Sequence, residues 1–181
     1  REEDAALKLI SNKNVLRDNL VAQNNATGIL LSGSMDNQII NNTIMENGLH
    51  GISLDHNSSQ NNISLNLIKG NNGSAIALWN NSDDNLLEDN DLSSNQLGIS
   101  LWDGCDRNLI LRNNASANGF SGIQIYKCME TTIAENTAAS NSYSGIASVS
   151  SIKSRIINNN LSQNRYGINL AGASDDRALG H

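Results

Sequence analysis

Carboxylates, aromatic rings and thiols are the side chains of this sequence that could do chemistry. Acidic residues cluster at Asp83-Asp84 and at Asp103 and Asp106-Arg107, with Glu130 further on. Two carboxyl groups about 5 to 9.5 Å apart are the acid and base of glycoside hydrolysis, so Asp83, Asp84, Asp103 and Asp106 are the candidate catalytic residues. Their oxygens are also the ligands calcium takes, which makes calcium the cofactor alternative. Acidic turns beside an arginine equally describe a solvated rim. Aromatic residues make up only 3% of the chain, yet both tryptophans and one of three tyrosines, Trp79, Trp102 and Tyr126, recur at one sequence position. Asp55, His56, Asn80, Asp103 and Lys127 lie beside them. Sugar rings offer C–H faces to aromatic planes and hydroxyls to polar neighbours, so Trp79, Trp102, Tyr126, Asp55, His56 and Lys127 form the candidate carbohydrate-binding set. The same rings could instead stack on each other and shield a sheet edge. Cys105 and Cys128, the two cysteines, fit either free interior thiols or a disulfide. His50, His56 and His181 lack zinc-ligand spacing; His50 reads as a turn residue, His56 as the margin of the aromatic stripe. No phosphate-binding glycine loop or nucleophile elbow is present.

What must position these residues is a repeat. Gly-Ile-x-Leu or a close variant recurs at Gly28, Gly51, Ala75, Gly98, Gly122, Gly145 and Gly167, at intervals of 23, 24, 23, 24, 23 and 22. Upstream of each anchor stand two asparagines five apart, from Asn19/Asn24 through Asn90/Asn95 to Asn159/Asn164. A Leu or Ile precedes the first of each pair by three, and an aliphatic residue follows it by two. Eight before it stands Ser or Cys, and three after that Asn, Thr or Ser. The chemistry-bearing residues are the outward departures from this consensus. In particular, the position after Gly-Ile-x-Leu runs Ser32, Asp55, Trp79, Trp102, Tyr126, Val149, Ala171.

Helical repeats need apolar residues spaced at three and four over ten or more positions, whereas here they come in short clusters separated by polar bends. Gly-Ile-x-Leu alternates in and out like a strand. Each repeat offers about four inward apolar side chains, too few to fold alone, so repeats must stack and share a core. The sequence therefore predicts an all-β fold: a single-stranded right-handed parallel β-helix of about seven coils of 22–24 residues, with three short strands per coil. Handedness follows the preference of parallel crossovers. Stacking at about 4.8 Å puts equivalent asparagines over one another, amide to amide, in corner ladders.

The run Asn37-x-Ile39-x-x-Asn42-x-Ile44-x-x-Asn47-Gly48-x-x-Gly51-Ile52-x-Leu54 resembles the repeats of the NosD-like, carbohydrate-binding-and-sugar-hydrolysis group of β-helix proteins. The resemblance covers nearly the whole chain. It implies a surface or periplasmic protein that touches polysaccharide, in a group where some members are lyases, hydrolases or epimerases. The Asn-Thr-Asp, Gly-His-Gly and Arg-Ile-Lys signatures of polygalacturonases are absent, as are the Arg-x-Pro-x-x-Arg of pectate lyases and the Asp-Pro-His of alginate epimerases. A binding or structural module thus ranks ahead of a polysaccharide lyase or hydrolase. The NosD name also brings copper into view, since Cys105, Cys128 and Met129 are soft ligands.

Composition agrees with a packed solenoid. Asparagine, with 31 copies, supplies the polarity that 17% charged residues do not; proline is absent. A net charge of −6 argues against nucleic acid. No run approaches the roughly 18 apolar residues of a membrane-spanning helix. The expected partner is a polysaccharide or cell-surface glycan, and the expected location extracellular, cell-surface or periplasmic. The chain reads as one β-helix domain over 1–181, a fragment of a longer solenoid with incomplete coils at 1–13 and 171–181. Ala5, Leu7 and Ser11 fit the tail of an earlier coil, and Leu170, Ser174 and Leu179 the start of an eighth. Neither Arg1-Glu2-Glu3-Asp4 nor Asp175-Asp176-Arg177 is long enough to cap a strand edge, which suggests self-association through uncapped coil ends.

Overall fold

The computed structural model describes residues 4–173 and 175–179; expectations resting on Arg1-Glu2-Glu3, Ser174 and His181 lie outside the described residues. Strands are parallel throughout, and no helix among the described residues is long and apolar enough to cross a membrane. Sheet 1 stacks Ala5–Leu9, Thr27–Ser32, Ile52–Asp55, Ser74–Leu78, Leu97–Trp102, Ile123–Tyr126, Ser144–Val149 and Tyr166–Ala171 in chain order. Sheet 2 stacks eight three-residue strands from Val15–Arg17 to Arg177–Leu179. On the third side, Leu20–Ala22, Thr43–Met45 and Leu67–Lys69 form a sheet that narrows to single bridges at Asp91, Asn114, Thr137 and Asn160. The row that runs Val21, Ile44 and Ile68 changes there to Leu92, Ala115 and Ala138, which lack β-branching and fit a pleated surface less well. Coils are numbered one to seven here by their Gly-Ile anchors.

Register is strict, with Ile29, Ile52, Ile76, Ile99, Ile123, Ile146 and Ile168 paired in one row. Each coil turns about four aliphatic side chains inward. Coil two supplies Ile39, Ile44, Ile52 and Leu54, all fully buried. At about 1.5–3 kcal/mol per buried side chain such a quartet is a minor stabilisation alone, and it becomes a core by continuity with its neighbours.

The asparagines make ladders at three corners. Along Asn42, Asn66, Asn90, Asn113 and Asn136, each Nδ2 and each backbone N–H donates to the Oδ1 of the next coil's asparagine. The same Nδ2 groups also donate to backbone carbonyls, Asn66 to Ile39 and Ser64 for example. A second row, Asn24, Asn47, Asn71 and Asn95, and a third, Asn14, Asn37, Asn61, Asn85 and Asn108, repeat the pattern. The residue just before a ladder asparagine has positive φ, as at Asn41, Leu65, Asp89, Arg112 and Glu135. That left-handed bend turns the chain at the corner, and the amide ladder satisfies the polar groups it would otherwise strand.

Candidate functional site

Strand alternation decides which side chains face solvent at the C-terminal edge of sheet 1. Ile and Leu of each anchor point inward, so the residue after Leu points out. In coils two to five this row is Asp55, Trp79, Trp102 and Tyr126. The next row, His56, Asn80, Asp103 and Lys127, has positive φ, which turns the chain away from the sheet just past the rings. All six expected carbohydrate-binding residues therefore lie along one edge.

Trp79 and Trp102 stack with centroids 5.8 Å apart and planes 14° from parallel; Tyr126 follows 5.0 Å from Trp102, tilted by 46°. The three are half-buried. Near-parallel rings at this separation cover part of each other's faces, leaving edges and the ends of the stack to solvent. At one end Lys127 Nζ sits 4.9 Å from the centre of Tyr126. At the other, His50 tilts against Trp79 with centroids 6.1 Å apart, and its Nδ1 accepts the Ser74 N–H at 3.0 Å. His50, read from sequence as a turn residue, is thus the histidine that touches the rings. His56 instead pairs its Nδ1 with Asp55 Oδ2 at 2.9 Å, while Asp55 Oδ1 accepts from Asn80 Nδ2 at 2.7 Å.

The candidate catalytic carboxylates separate into two groups. Asp103 is exposed beside Trp102. Asp83 and Asp106 occupy another row one coil apart and act as caps: Asp83 Oδ1 accepts the Asp106 N–H at 2.9 Å, and Asp106 Oδ1 accepts the Met129 N–H at 2.7 Å. Arg107 spans Asp83 Oδ2 and both oxygens of Asp84. Burial holds the Asp106 carboxyl above its ordinary range, with the Met129 N–H opposing and the Asp83 charge adding to the shift. Asp83, Asp84 and Asp106 are engaged within the fold, and among the described residues no three of His, Cys, Asp and Glu converge on a metal position.

Cys105 and Cys128 are free and buried. Their Sγ atoms donate to Trp102 O and Tyr126 O at 3.1 and 3.3 Å, as Ser58 Oγ does to Asp55 O and Ser82 Oγ to Trp79 O. The thiols thus stand in for the serine hydroxyls of the row.

A second aromatic ladder was not found from the sequence. Phe120 stacks on Tyr143 at 4.8 Å and 6°, and Tyr143 meets the edge of Tyr166 at 5.3 Å. These residues flank the opposite, N-terminal edge of sheet 1. Their spacing of 23 and 23 was the available signal. The shortened last interval moves Tyr166 next to Gly167, whereas Phe120 and Tyr143 stand two before their glycines, and so conceals the row.

Stacked three-sided coils, aligned asparagine ladders and inward aliphatic rows define a right-handed parallel β-helix, and residues 84–178 match the family described as "Right handed beta helix region". More specifically, the chain belongs to the NosD family, described as "Periplasmic copper-binding protein (NosD)", which residues 6–120 match. Solved structures of the same fold include the periplasmic alginate epimerase AlgG, with TM-score 0.77 and 21% identity over 92% of this chain and 43% of that one. The A-module of the Azotobacter vinelandii mannuronan C-5 epimerase AlgE4 has TM-score 0.75 and 14% identity over 92% of this chain and 60% of that one. The chain thus spans less than half the AlgG chain, and at these identities the likeness is one of fold alone. No curated protein matches it.

The copper of the family description does not fit the residues present. Both thiols are fully buried and donate to backbone carbonyls, so neither is presented to an incoming ion. Met129, the adjacent soft donor, is 48% exposed while Cys128 is fully buried, so the two sulfurs face opposite sides of the wall.

Proposed function

We propose that the protein is a non-catalytic, polysaccharide-binding β-helix module of the cell envelope, periplasmic or extracellular, with the C-terminal edge of sheet 1 as its contact surface. The observation that carries this reading is the continuous half-buried ladder Trp79–Trp102–Tyr126, set on a rigid parallel sheet and flanked by Asp55, His56, Asn80 and Lys127. Aromatic rings beside fixed hydrogen-bonding groups are what a sugar chain needs for contact and orientation. The periplasmic description of the family and the polysaccharide-directed names of AlgG and AlgE4 favour the same setting. Binding is preferred over turnover because three of the four candidate carboxylates are engaged with backbone amides or Arg107.

Retention in polysaccharide-containing gels tests it. Trp79→Ala with Trp102→Ala should weaken retention about tenfold or more, each ring having contributed contact worth around a kilocalorie per mole, while thermal unfolding stays cooperative. Unchanged retention would remove this edge from the reading. Product analysis of each retained glycan, with Asp103→Asn alongside, decides about catalysis: shortened or modified chains lost in that variant would replace binding by an enzyme.

A further inference from the structure

Lys127 and Arg165 share an unusual environment. Other cations sit against carboxylates: Arg107 on Asp83 and Asp84, Arg112 on Glu88 and Asp89, Lys69 on Asp91. Those pairs lie on sheet 2, on the third sheet and at the corners between them. By contrast, the Arg165 guanidinium sits over two rings, 5.8 Å from the centre of Tyr143 and 5.3 Å from that of Tyr166. Lys127 sits over Tyr126. Among the described residues neither cation has a carboxylate within ion-pair distance. A cation held on an aromatic face is oriented without being neutralised, and its N–H groups stay available for an anion.

Their placement joins the two aromatic ladders. Lys127 leaves the C-terminal edge of sheet 1 in coil five, and Arg165 enters the N-terminal edge in coil seven. Between them lies the outer face of the strands Ile123–Tyr126, Ser144–Val149 and Tyr166–Ala171, whose four to six residues span roughly 10–17 Å at about 3.3 Å per residue. Gln124 is half-buried there and Ala147 is buried, beside the buried Ile123, Ile125 and Ile146, so in coils five and six the strands between the ladders offer a ligand the Gln124 amide. In a molecule of net charge −6, this face carries two cations without carboxylate partners.

We infer that the outer face of sheet 1 across coils five to seven binds a carboxylated polysaccharide, with uronate groups on Arg165 and Lys127 and sugar rings against Phe120, Tyr143 and Tyr166. This rests on the polysaccharide-binding reading and adds to it the charge class of the glycan and a second contact ladder. The planar guanidinium fork matches a carboxylate edge to edge, and both cations are exposed enough to accept one without large desolvation.

The experiment uses the full chain with unesterified polygalacturonate and its fully methyl-esterified form, which differ only in carboxylate charge, together with a neutral glucan. Binding to polygalacturonate should exceed binding to the ester, weaken as salt rises, and fall about tenfold in Arg165→Gln and in Tyr143→Ala. Arg165→Lys should restore part of the loss, and far-ultraviolet circular dichroism should match the parent. Equal binding of acid and ester, with Arg165→Gln unchanged, would overturn this inference while leaving polysaccharide binding at the tryptophan edge in place. No binding to any of the three, or to other polysaccharides in the gels above, would overturn both.

Discussion

A buried cysteine here is a serine with a different titration. Cys105 and Cys128 occupy a row whose other members include Ser58 and Ser82, and all four donate to a backbone carbonyl two or three residues upstream. The shared bond explains why polar and sulfur side chains alternate freely in one row of a close-packed interior. Changing both to serine should therefore alter stability at pH 7 by less than about 1 kcal/mol, the ordinary scale of one exchanged hydrogen bond. Alkaline pH separates the two proteins. The folded thiols are pushed up to about 12 by burial, whereas thiols of an unfolded chain ionise near 8.5. Between those values the unfolded state binds fewer protons than the folded one, so the thiols make stability fall as pH rises. Urea unfolding at pH 8 and pH 10.5 should show a larger loss for the parent than for the double serine variant. Parallel losses would mean that the thiols are not held protonated.

At the scale of the coil, the anchor glycine is set by the approach of neighbouring backbones. A Cβ built on Gly98 would lie 2.3 Å from the carbonyl oxygen of Gly122 and 2.9 Å from the Ala115 side chain, closer than packed atoms tolerate. At Gly167, in the last coil, the nearest atoms of Leu161 are 3.9 Å away, an ordinary contact. Gly98→Ala should accordingly destabilise by about 1–3 kcal/mol through overpacking, and Gly167→Ala by much less, as read from midpoints of thermal or urea unfolding. Equal effects would show that the coils relax around an added methyl, as they evidently do around Ala75, which occupies the same row fully buried. Coils, strand phase and ladders were legible because a period of 22–24 residues leaves little freedom once Ile, Asn and Gly recur together. The state of Asp83 and Asp106 was not legible. An aspartate in a polar turn looks the same in sequence whether its oxygen meets water or the next coil's amide, and only stacking puts that amide within 3 Å. Nor was His50 against Trp79, because the contact crosses sheet 1 between residues at opposite ends of neighbouring strands.

A solenoid this regular arranges its chemistry in lines, and that bears on what the whole molecule can bind. Successive coils return each side chain to the same row, so neighbours along a row are near 4.8 Å apart while rows at different corners stay apart. Extended ligands match such a surface, since they too repeat along a line. A four-coordinate zinc-type centre requires three or four donors to converge on one point, which rows do not provide. His50 and His56 stand at opposite ends of the strand Ile52–Asp55, Met129 points away from the interior that holds Cys128, and no three metal-binding side chains cluster among the described residues. For Cu(I), which two thiolates can hold, the soft pair on adjacent coils is Cys105 and Cys128, and both are buried and bonded to backbone carbonyls, so family membership and copper binding should come apart in this chain. After incubation with one equivalent of Cu(I) under reducing conditions and passage over a desalting column, the protein should retain no copper, and its tryptophan fluorescence and unfolding midpoint should match an untreated sample. One equivalent retained by the parent and lost in the Cys105→Ser, Cys128→Ser variant would show that the sulfur row opens to give up two protons for a metal, and that this wall of the β-helix is far more compliant than its packing implies.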